Sequence, residues 1–247
     1  NNLGVLYYNQ DEYDKAEANY LKAIELDPED ADAYYNLGIL YYIQDEYDKA
    51  ETNYLKAIEL DPEYVDAYYY LGVIYYNQDE YDKAEANYLK AIELDPKYVD
   101  TYYNIADIYY SQRKYNLVES SFLKAIELDP RSERAFSKLA SLYHEQGKYK
   151  QAESNYLKAI ELEPEFALNY NFLGLMYFDQ GRYGEAESNY LMAIELDPED
   201  AYVYYDLGSL YNERDNDTKK RLKYYKKAAQ LGNKSAQDWL KDNGYTW

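Results

Sequence analysis

The sequence predicts an all-α fold built from equal, stacked helical units. Two observations carry this prediction: the prolines recur at one fixed interval of 34 residues, and the residues between them repeat one apolar spacing. The six prolines of the 247-residue chain are Pro28, Pro62, Pro96, Pro130, Pro164 and Pro198. Because proline stops a helix, this interval indicates that a helix ends at the same point of every unit.

Residues 31–64 show the pattern within one unit. The apolar positions of its two halves are Tyr34, Leu37, Gly38 and Tyr41, and then Tyr47, Ala50, Tyr54 and Ala57. Each half has the i, i+3, i+4, i+7 type of spacing that predicts an amphipathic helix. Since only Gln44, Asp45 and Glu46 separate the halves, we expect an antiparallel helix pair with a tight turn.

The turn within each unit favours a residue with a left-handed backbone conformation. The residues at this point are Asp11, Asp45, Asp79 and Asp215 in four units, Arg113 in one, and Gly147 and Gly181 in two. Glycine adopts a positive φ freely and aspartate tolerates it. We therefore expect Arg113 to be the most strained residue of the set.

The composition narrows the classes of partner. A formal net charge of −21 argues against nucleic acid and anionic membrane surfaces, and it favours a neutral or basic protein or peptide over an acidic one. The chain has no cysteine, and no apolar run approaches the ~18 residues of a membrane span. We expect no cofactor, no metal and no membrane insertion. We expect a soluble protein and slightly favour the cytoplasm, although the sequence does not identify the compartment.

The repeated spacing resembles the tetratricopeptide repeat: aromatic-x2-Leu-Gly-x2-Tyr, then Ala-x3-aromatic-x2-Ala, then Pro. This resemblance implies a right-handed superhelical solenoid of about seven antiparallel helix pairs plus a C-terminal capping helix. We expect a single solenoid over 1–247. Its units would be 1–30 (truncated), 31–64, 65–98, 99–132, 133–166, 167–200 and 201–233, with a cap over 234–247. Because the first unit starts part-way through the pattern, we expect the native chain to begin earlier.

The C-terminal end departs from the pattern. The stretch Ala228-Ala229-Gln230-Leu231-Gly232-Asn233, with Ala236, Gln237 and Leu240 after it, resembles a Sel1-like repeat. We expect a last helix over about Lys234–Asp242 that covers the final apolar face, as solenoid caps do.

Tyrosine is abundant, with 38 residues, and most of them fall at positions that the family uses for packing. In the family, first helices line the concave surface, and tyrosine there suits recognition because it offers a large, rigid, amphipathic contact. The predicted peptide-binding residues are Asn2, Tyr8, Tyr35, Asn36, Ile39, Tyr42, Tyr69, Tyr70, Val73, Tyr76, Tyr103, Asn104 and Tyr110. An evolutionary bias towards tyrosine without any ligand is the competing explanation.

Two polar patterns on the same surface resemble known devices of the family. Asn2, Asn36 and Asn104 occupy the position of an asparagine ladder, whose amides both donate to and accept from a peptide backbone. Asn104, Arg134 and Lys138 match part of the carboxylate clamp, and His144 lies on the same face. These four residues form a candidate carboxylate-binding site. The alternative is a structural ion-pair cluster.

The sequence predicts a non-enzymatic scaffold that binds an extended or short helical peptide segment in a groove lined by tyrosine and asparagine. No nucleophile with a base, phosphate loop or metal spacing is present. Two alternatives stay open: a structural solenoid that self-associates end to end, and a targeting module of a larger protein.

Overall fold

The computed structural model describes residues 1–215 and 217–247, and every regular element in this part of the chain is an α-helix. The helices are α1 (Asn2–Tyr8), α2 (Tyr13–Leu26), α3 (Ala31–Ile43), α4 (Tyr47–Leu60), α5 (Val65–Asn77), α6 (Tyr81–Leu94), α7 (Val99–Ser111), α8 (Tyr115–Leu128), α9 (Glu133–Glu145), α10 (Tyr149–Leu162), α11 (Ala167–Asp179), α12 (Tyr183–Leu196), α13 (Ala201–Asp215), α14 (Thr218–Gln230) and α15 (Lys234–Asp242). The all-α prediction is therefore confirmed. None of these helices has the length and apolar character that crossing a bilayer requires.

The chain divides into two compact parts, Asn1–Leu128 and Asp129–Trp247. The first part contains α1–α8 and the second α9–α15, and within each part consecutive helices pack as pairs. Each pair falls inside one predicted unit, and residue 216, in the predicted unit 201–233, lies outside the described residues. The continuity of one solenoid over 1–247 stays a prediction.

The Asp-Pro step ends each second helix. In α4 the last helical residue is Leu60, and Asp61 follows in extended conformation, which the next residue, Pro62, enforces. The Asp61 carboxylate then accepts a hydrogen bond from the backbone N–H of Glu63 at 3.0 Å. The same bond recurs at 2.9–3.1 Å for Asp27, Asp95, Asp129 and Asp197. Proline stops the helix, and the aspartate caps the turn that leads into the next one.

Six of the seven predicted turn positions have the left-handed conformation. The expectation for Asp215 is wrong, because α13 continues to this residue. Asp11, Asp45, Asp79 and Arg113 have φ between 57° and 61°, and Gly147 and Gly181 have φ of 69° and 71°. Arginine lacks the short polar side chain with which aspartate stabilises this conformation, so Arg113 is the strained member.

In five of the seven helix pairs among the described residues, a glycine of the first helix lies in close contact with a tyrosine of the second. A Cβ atom on Gly72 of α5 would lie 2.4 Å from the Tyr88 ring of α6, and one on Gly38 of α3 would lie 2.7 Å from the Tyr54 ring of α4. Carbon atoms normally pack at about 3.5–4.0 Å. The tyrosine ring therefore occupies the space that glycine leaves, and both rings are fully buried.

A tyrosine–glutamate hydrogen bond joins neighbouring units. Tyr41 of α3 donates to Glu17 of α2 at 2.6 Å, and Tyr75 of α5 donates to Glu51 of α4 at 2.7 Å. In the second part, Tyr177 of α11 donates to Glu153 of α10 at 2.8 Å. The bond always runs from the first helix of one unit to the second helix of the unit before, so it ties adjacent units together.

The last unit carries an ionisable group at an interior position of α13. Burial of Asp206, together with the charges of Asp200 and of Asp179 on α11, raises its pKa to about 7. An ordinary aspartate in the unfolded chain has a pKa of about 3.9. Near neutral pH, Asp206 is therefore protonated in much of the folded population.

At the end of the chain, α15 lies where the sequence predicted the last helix. Ala236 and Leu240 of α15 are buried in a cluster with Tyr204, Tyr225 and Ala228. The helix therefore covers the apolar surface of α14 and α13, as expected of a cap.

We expect Gly72→Ala to lower the free energy of unfolding by about 1–2 kcal/mol, because the new methyl group collides with the buried Tyr88 ring. Gly184→Ala is the matched control: Gly184 also lies in a helix, but a Cβ there meets no atom within 4 Å. The free energy of unfolding of this control should rise by up to about 1 kcal/mol, because alanine has a higher helix propensity than glycine. Thermal melts followed by circular dichroism measure the stability of both variants. Equal effects of the two substitutions would contradict the packing account.

We expect Arg113→Gly to raise the free energy of unfolding by about 0.5–1 kcal/mol, since it removes left-handed strain at the cost of a more flexible unfolded chain. Asp45→Gly should bring no such gain, because Asp45 tolerates the conformation and accepts the Tyr47 hydroxyl at 2.7 Å. Denaturant unfolding of both variants tests the prediction. A loss of stability in the Arg113 variant would show that this turn is not strained.

We expect Asp206→Asn to be more stable than the natural chain at pH 8 by roughly 1–4 kcal/mol, and nearly equal to it at pH 4. The folded pKa of Asp206 lies above the unfolded value, so its contribution to stability is present below pH ~4 and is lost as the pH rises through about 7. The difference between the two melting curves across this window isolates Asp206 from the other carboxylates. A difference that does not change with pH would contradict the assignment.

Candidate functional site

Five half-buried tyrosines lie on α3 and α5 in the first part of the chain. We call this set the tyrosine face, and its members are Tyr35, Tyr42, Tyr69, Tyr70 and Tyr76. All five side chains are half-buried, so each ring is supported by the protein and still presents part of its surface. These five were among the predicted peptide-binding residues.

Four of the five rings of this face contact one another, while the Tyr76 ring lies 5.6 Å from that of Tyr81 on α6. Tyr70 lies at the centre, with ring centroids 6.1 Å from Tyr35, 5.7 Å from Tyr42 and 5.2 Å from Tyr69. Most of these contacts are tilted or edge-on, as aromatic pairs prefer. A surface whose rings are already ordered loses little conformational entropy when a ligand covers it.

The buried tyrosines of the second helices form the floor beneath this face. Tyr54 stacks on Tyr70 with centroids 5.7 Å apart and planes at 16°, and Tyr88 lies 6.0 Å from Tyr69. Among the described residues, the buried Tyr54 hydroxyl has no hydrogen-bond partner. A buried polar group without a partner is uncommon and calls for an explanation.

Carboxylates in the first turns of the same helices lie at the edge of the tyrosine face. Tyr64 donates to Asp32 of α3 at 2.7 Å. Burial raises the pKa of Tyr98, and so does its hydrogen bond to Asp66 of α5. Tyr64 and Tyr98 are the residues just before α5 and α7 and were not among the predicted site residues. Their 34-residue spacing, each 32 residues after an aspartate, is the sequence signal that could have identified them.

The predicted asparagine positions are already engaged within the free chain. The Asn36 amide donates to the Asn1 side-chain oxygen at 2.9 Å, and the Asn104 amide donates to the Tyr69 hydroxyl at 3.2 Å. Asn2 is exposed. Each amide keeps further donor or acceptor capacity, so the structure orients these side chains without using all their hydrogen bonds.

The other predicted groove residues differ in accessibility. Ile39 and Val73 are half-buried, as is Tyr8, whose ring lies 6.0 Å from Tyr13, while Tyr110 is exposed. Tyr103 differs from all of them because it is buried, with its ring 6.4 Å from Phe122. The expectation of an accessible Tyr103 does not match this placement; the side chain contributes to the interior of the fourth unit.

The four predicted carboxylate-binding residues lie in different parts of the chain. Asn104 belongs to the first compact part, whereas Arg134, Lys138 and His144 all lie on α9 in the second. His144 of α9 is directed to Asp179 of α11, with 2.9 Å between its Nε2 and the carboxylate, so this side chain already has a hydrogen-bond partner within the chain. Arg134 and Lys138 are exposed. A carboxylate site formed by them stays a prediction.

A second apolar surface was not foreseen from the sequence. One leucine on each of the second helices of the first six units is 43–49% exposed, and we call this set the leucine row. Its members are Leu21, Leu55, Leu89 and Leu123 in the first part, and Leu157 and Leu191 in the second. The 34-residue recurrence was visible in the sequence, but the helical spacing alone did not show that these leucines face solvent.

Solved structures with a similar fold cover most of the chain. The chain is 25% identical to YrrB, described as a TPR protein with an unusual peptide-binding site; the match covers 76% of this chain and 97% of YrrB, with a TM-score of 0.60. The MamA protein is 26% identical over 70% of this chain and 94% of its own, also with a TM-score of 0.60. The C-terminal part of a TPR repeat-containing protein from Cytophaga hutchinsonii reaches a TM-score of 0.77 at 20% identity and covers 97% of this chain and 98% of its own. No curated protein matches the chain.

Family models match the chain from residue 4 to residue 213. The TPR repeat model matches residues 4–45, 38–79, 140–181 and 174–213, and tetratricopeptide repeat models match residues 65–98, 99–132 and 121–154. The Sel1-like character of the C-terminal end stays a prediction. With more than half of its length matched and the repeated helix pairs described above, the chain belongs to the tetratricopeptide repeat family.

Proposed function

We propose that this chain is a non-enzymatic scaffold that holds an extended or short helical segment of another protein on its tyrosine face. As a tetratricopeptide repeat protein it mediates protein–protein interaction, and the proposal concerns the surface and the form of the ligand. The observation that carries it is the set of half-buried, mutually packed rings on α3 and α5. Such rings offer a large apolar contact with polar tips at a low cost in conformational entropy.

Two further features support a peptide ligand. The Asn36 and Asn104 amides lie beside this face and keep hydrogen-bonding capacity for a backbone. The similar protein YrrB is described as having a peptide-binding site, which makes the same class of ligand a reasonable proposal here. The non-enzymatic part of the proposal follows from a sequence in which the carboxylate pairs recur with the scaffold and not at one place.

The leucine row is the competing surface, because it is apolar and exposed along the second helices. The two surfaces lie on different helices of each pair, so substitutions can separate them. Tyr42 and Tyr76 are suitable targets on the tyrosine face, since both are half-buried and neither is a core residue. Tyr103 is unsuitable because it is buried.

We expect peptides selected from a random displayed library on the natural chain to lose about tenfold or more in affinity when Tyr42 and Tyr76 are both replaced by Ser. The melting temperature of this variant should stay within a few degrees of the natural chain, because surface substitutions seldom change stability much. Fluorescence polarisation of labelled peptides gives the affinities, and circular dichroism gives the melting temperatures.

The matched control replaces Leu55 and Leu89 with Ser, which removes a similar apolar surface from α4 and α6. Affinity for the selected peptides should be preserved in this control. If the leucine variant lost binding and the tyrosine variant kept it, the second helices would carry the site and the proposal would be wrong. A library that yields no peptide above background would also count against it.

A further inference from the structure

One carboxylate lies among four tyrosines at the edge of the tyrosine face. Asp66, in the first turn of α5, accepts a hydrogen bond from Tyr98. Tyr70 follows Asp66 by four residues on α5, so the two side chains are neighbours on the helix surface. Burial raises the pKa of Tyr35, Tyr64 and Tyr70, and the negative charge of Asp66 raises each of them further, although for Tyr64 the hydrogen bond to Asp32 contributes more. The Tyr35 ring lies 4.9 Å from Tyr64 and 6.1 Å from Tyr70 between centroids. The result is a cluster of aromatic rings with the Asp66 carboxylate at its edge, next to Asp32, which accepts the Tyr64 hydroxyl at 2.7 Å.

Elsewhere in this chain, tyrosines of the first helices are covered by the chain's own cations. The Lys49 ammonium lies 4.8 Å from the centroid of Tyr41, and Lys83 lies 4.8 Å from that of Tyr75. No lysine or arginine among the described residues lies over Tyr35 or Tyr70, although these rings belong to the same two helices. Among the described residues, Tyr41 and Tyr75 therefore have a cation of the chain over their rings, and Tyr35 and Tyr70 do not.

The acidic side chains show the same contrast. Glu46 and Glu80, next to the covered tyrosines, form ion pairs with Lys49 and Lys83. Within the described residues, Asp66 forms no ion pair with any lysine or arginine. A carboxylate beside aromatic rings, in a chain of net charge −21, attracts positive charge from outside the molecule.

The buried hydroxyl of Tyr54 supplies an independent observation. In the fifth and seventh units the equivalent tyrosines, Tyr156 and Tyr225, lie 3.0 Å from the hydroxyl oxygens of Ser141 and Ser209. In the second unit the residue equivalent to these serines is Ile39, which has no polar group to offer.

The next unit does not supply a partner either. Tyr88 receives a hydrogen bond from Asn104 of the following unit. For Tyr54 the residue equivalent to Asn104 is Tyr70, whose ring stacks on the Tyr54 ring and does not donate to its hydroxyl. The Tyr54 hydroxyl is thus without a partner among the described residues, directly beneath the rings of Tyr35 and Tyr70. A ligand N–H that displaces one of these rings would reach the covered hydroxyl and supply the missing hydrogen bond.

We propose that Asp66 and the rings of Tyr35, Tyr64 and Tyr70 bind the ammonium group of a lysine, or the guanidinium group of an arginine, from a segment of another protein. The inference rests on the proposed function, because that segment is the one held on the tyrosine face. The cation interacts with the ring faces and with the part of the Asp66 carboxylate that Tyr98 does not occupy.

The chemistry of the site favours an organic cation over a metal ion. Calcium and magnesium require about six or more oxygen ligands, and no cluster of three or more acidic or histidine side chains suited to a metal occurs among the described residues. One carboxylate with several aromatic rings is instead the environment in which lysine and arginine side chains bind.

The test uses the full chain and two pools of nonapeptides with random flanks, one with lysine fixed at the centre and one with norleucine. Norleucine keeps the apolar stem of lysine and removes its charge. We expect the lysine pool to bind about tenfold more tightly than the norleucine pool, measured by fluorescence polarisation. The difference should disappear in Asp66→Asn, which keeps a hydrogen-bond acceptor for Tyr98.

Asp48→Asn is the matched control, since Asp48 is an exposed aspartate in the first turn of α4 and its removal changes the net charge equally. This variant should keep the preference for lysine. Equal binding of the two pools, no binding of either pool, or a preference that survives Asp66→Asn would each overturn the inference. Dimerisation that depends on Asp66 in sedimentation experiments would show that a second copy of the chain fills the site, and would overturn it as well.

The outcome is separable from that of the proposed function. In one outcome, library peptides bind and lose affinity on the Tyr42 and Tyr76 substitutions while Asp66→Asn leaves the affinity of both pools unchanged. In that case the tyrosine face binds peptides without a cation site. If the tyrosine substitutions have no effect either, both proposals fail.

Discussion

The contact between a first-helix glycine and a second-helix tyrosine is the constraint on which the rest of the structure depends. Because the Tyr54 and Tyr88 rings fill the space left by Gly38 and Gly72, the two helices of these pairs approach closely and in a defined register. That arrangement fixes which residues of α3 and α5 point away from the second helices. The fourth and fifth units keep the pairing with Ala106 and Ala140 at the glycine position, so a methyl group is accommodated where the local packing differs.

Tyrosine serves two purposes in this chain, and its surroundings separate them. Tyrosines such as Tyr41 are buried, donate to a glutamate of the preceding unit and lie under a lysine, so their polar and aromatic groups are satisfied within the molecule. Tyrosines such as Tyr35 and Tyr70 are packed mainly against other tyrosines and remain half-buried. A high tyrosine content therefore does not by itself indicate a binding surface; the hydrogen bonds and cations around each ring do.

The sequence was sufficient for the helices and insufficient for parts of the site. The spacing of proline and the left-handed turn positions predicted the helix pairs, because both act locally on the backbone. The burial of Tyr103 was not predictable, since it depends on a contact with Phe122 on another helix and not on its position in the repeat. The roles of Tyr64 and Asp66 likewise depend on contacts between units. The raised pKa of Asp206 depends on burial and on the nearby charges of Asp200 and Asp179, and the repeat pattern does not show that these residues are close.

The central claim is that a partner segment lies on the tyrosine rings of α3 and α5. A crystal structure of the chain with a selected peptide tests this claim most directly. The account predicts peptide atoms in contact with Tyr35, Tyr42 and Tyr70, with a lysine or arginine side chain near Asp66. A peptide bound along Leu55 and Leu89 of the second helices, with the tyrosine rings uncovered, would contradict it.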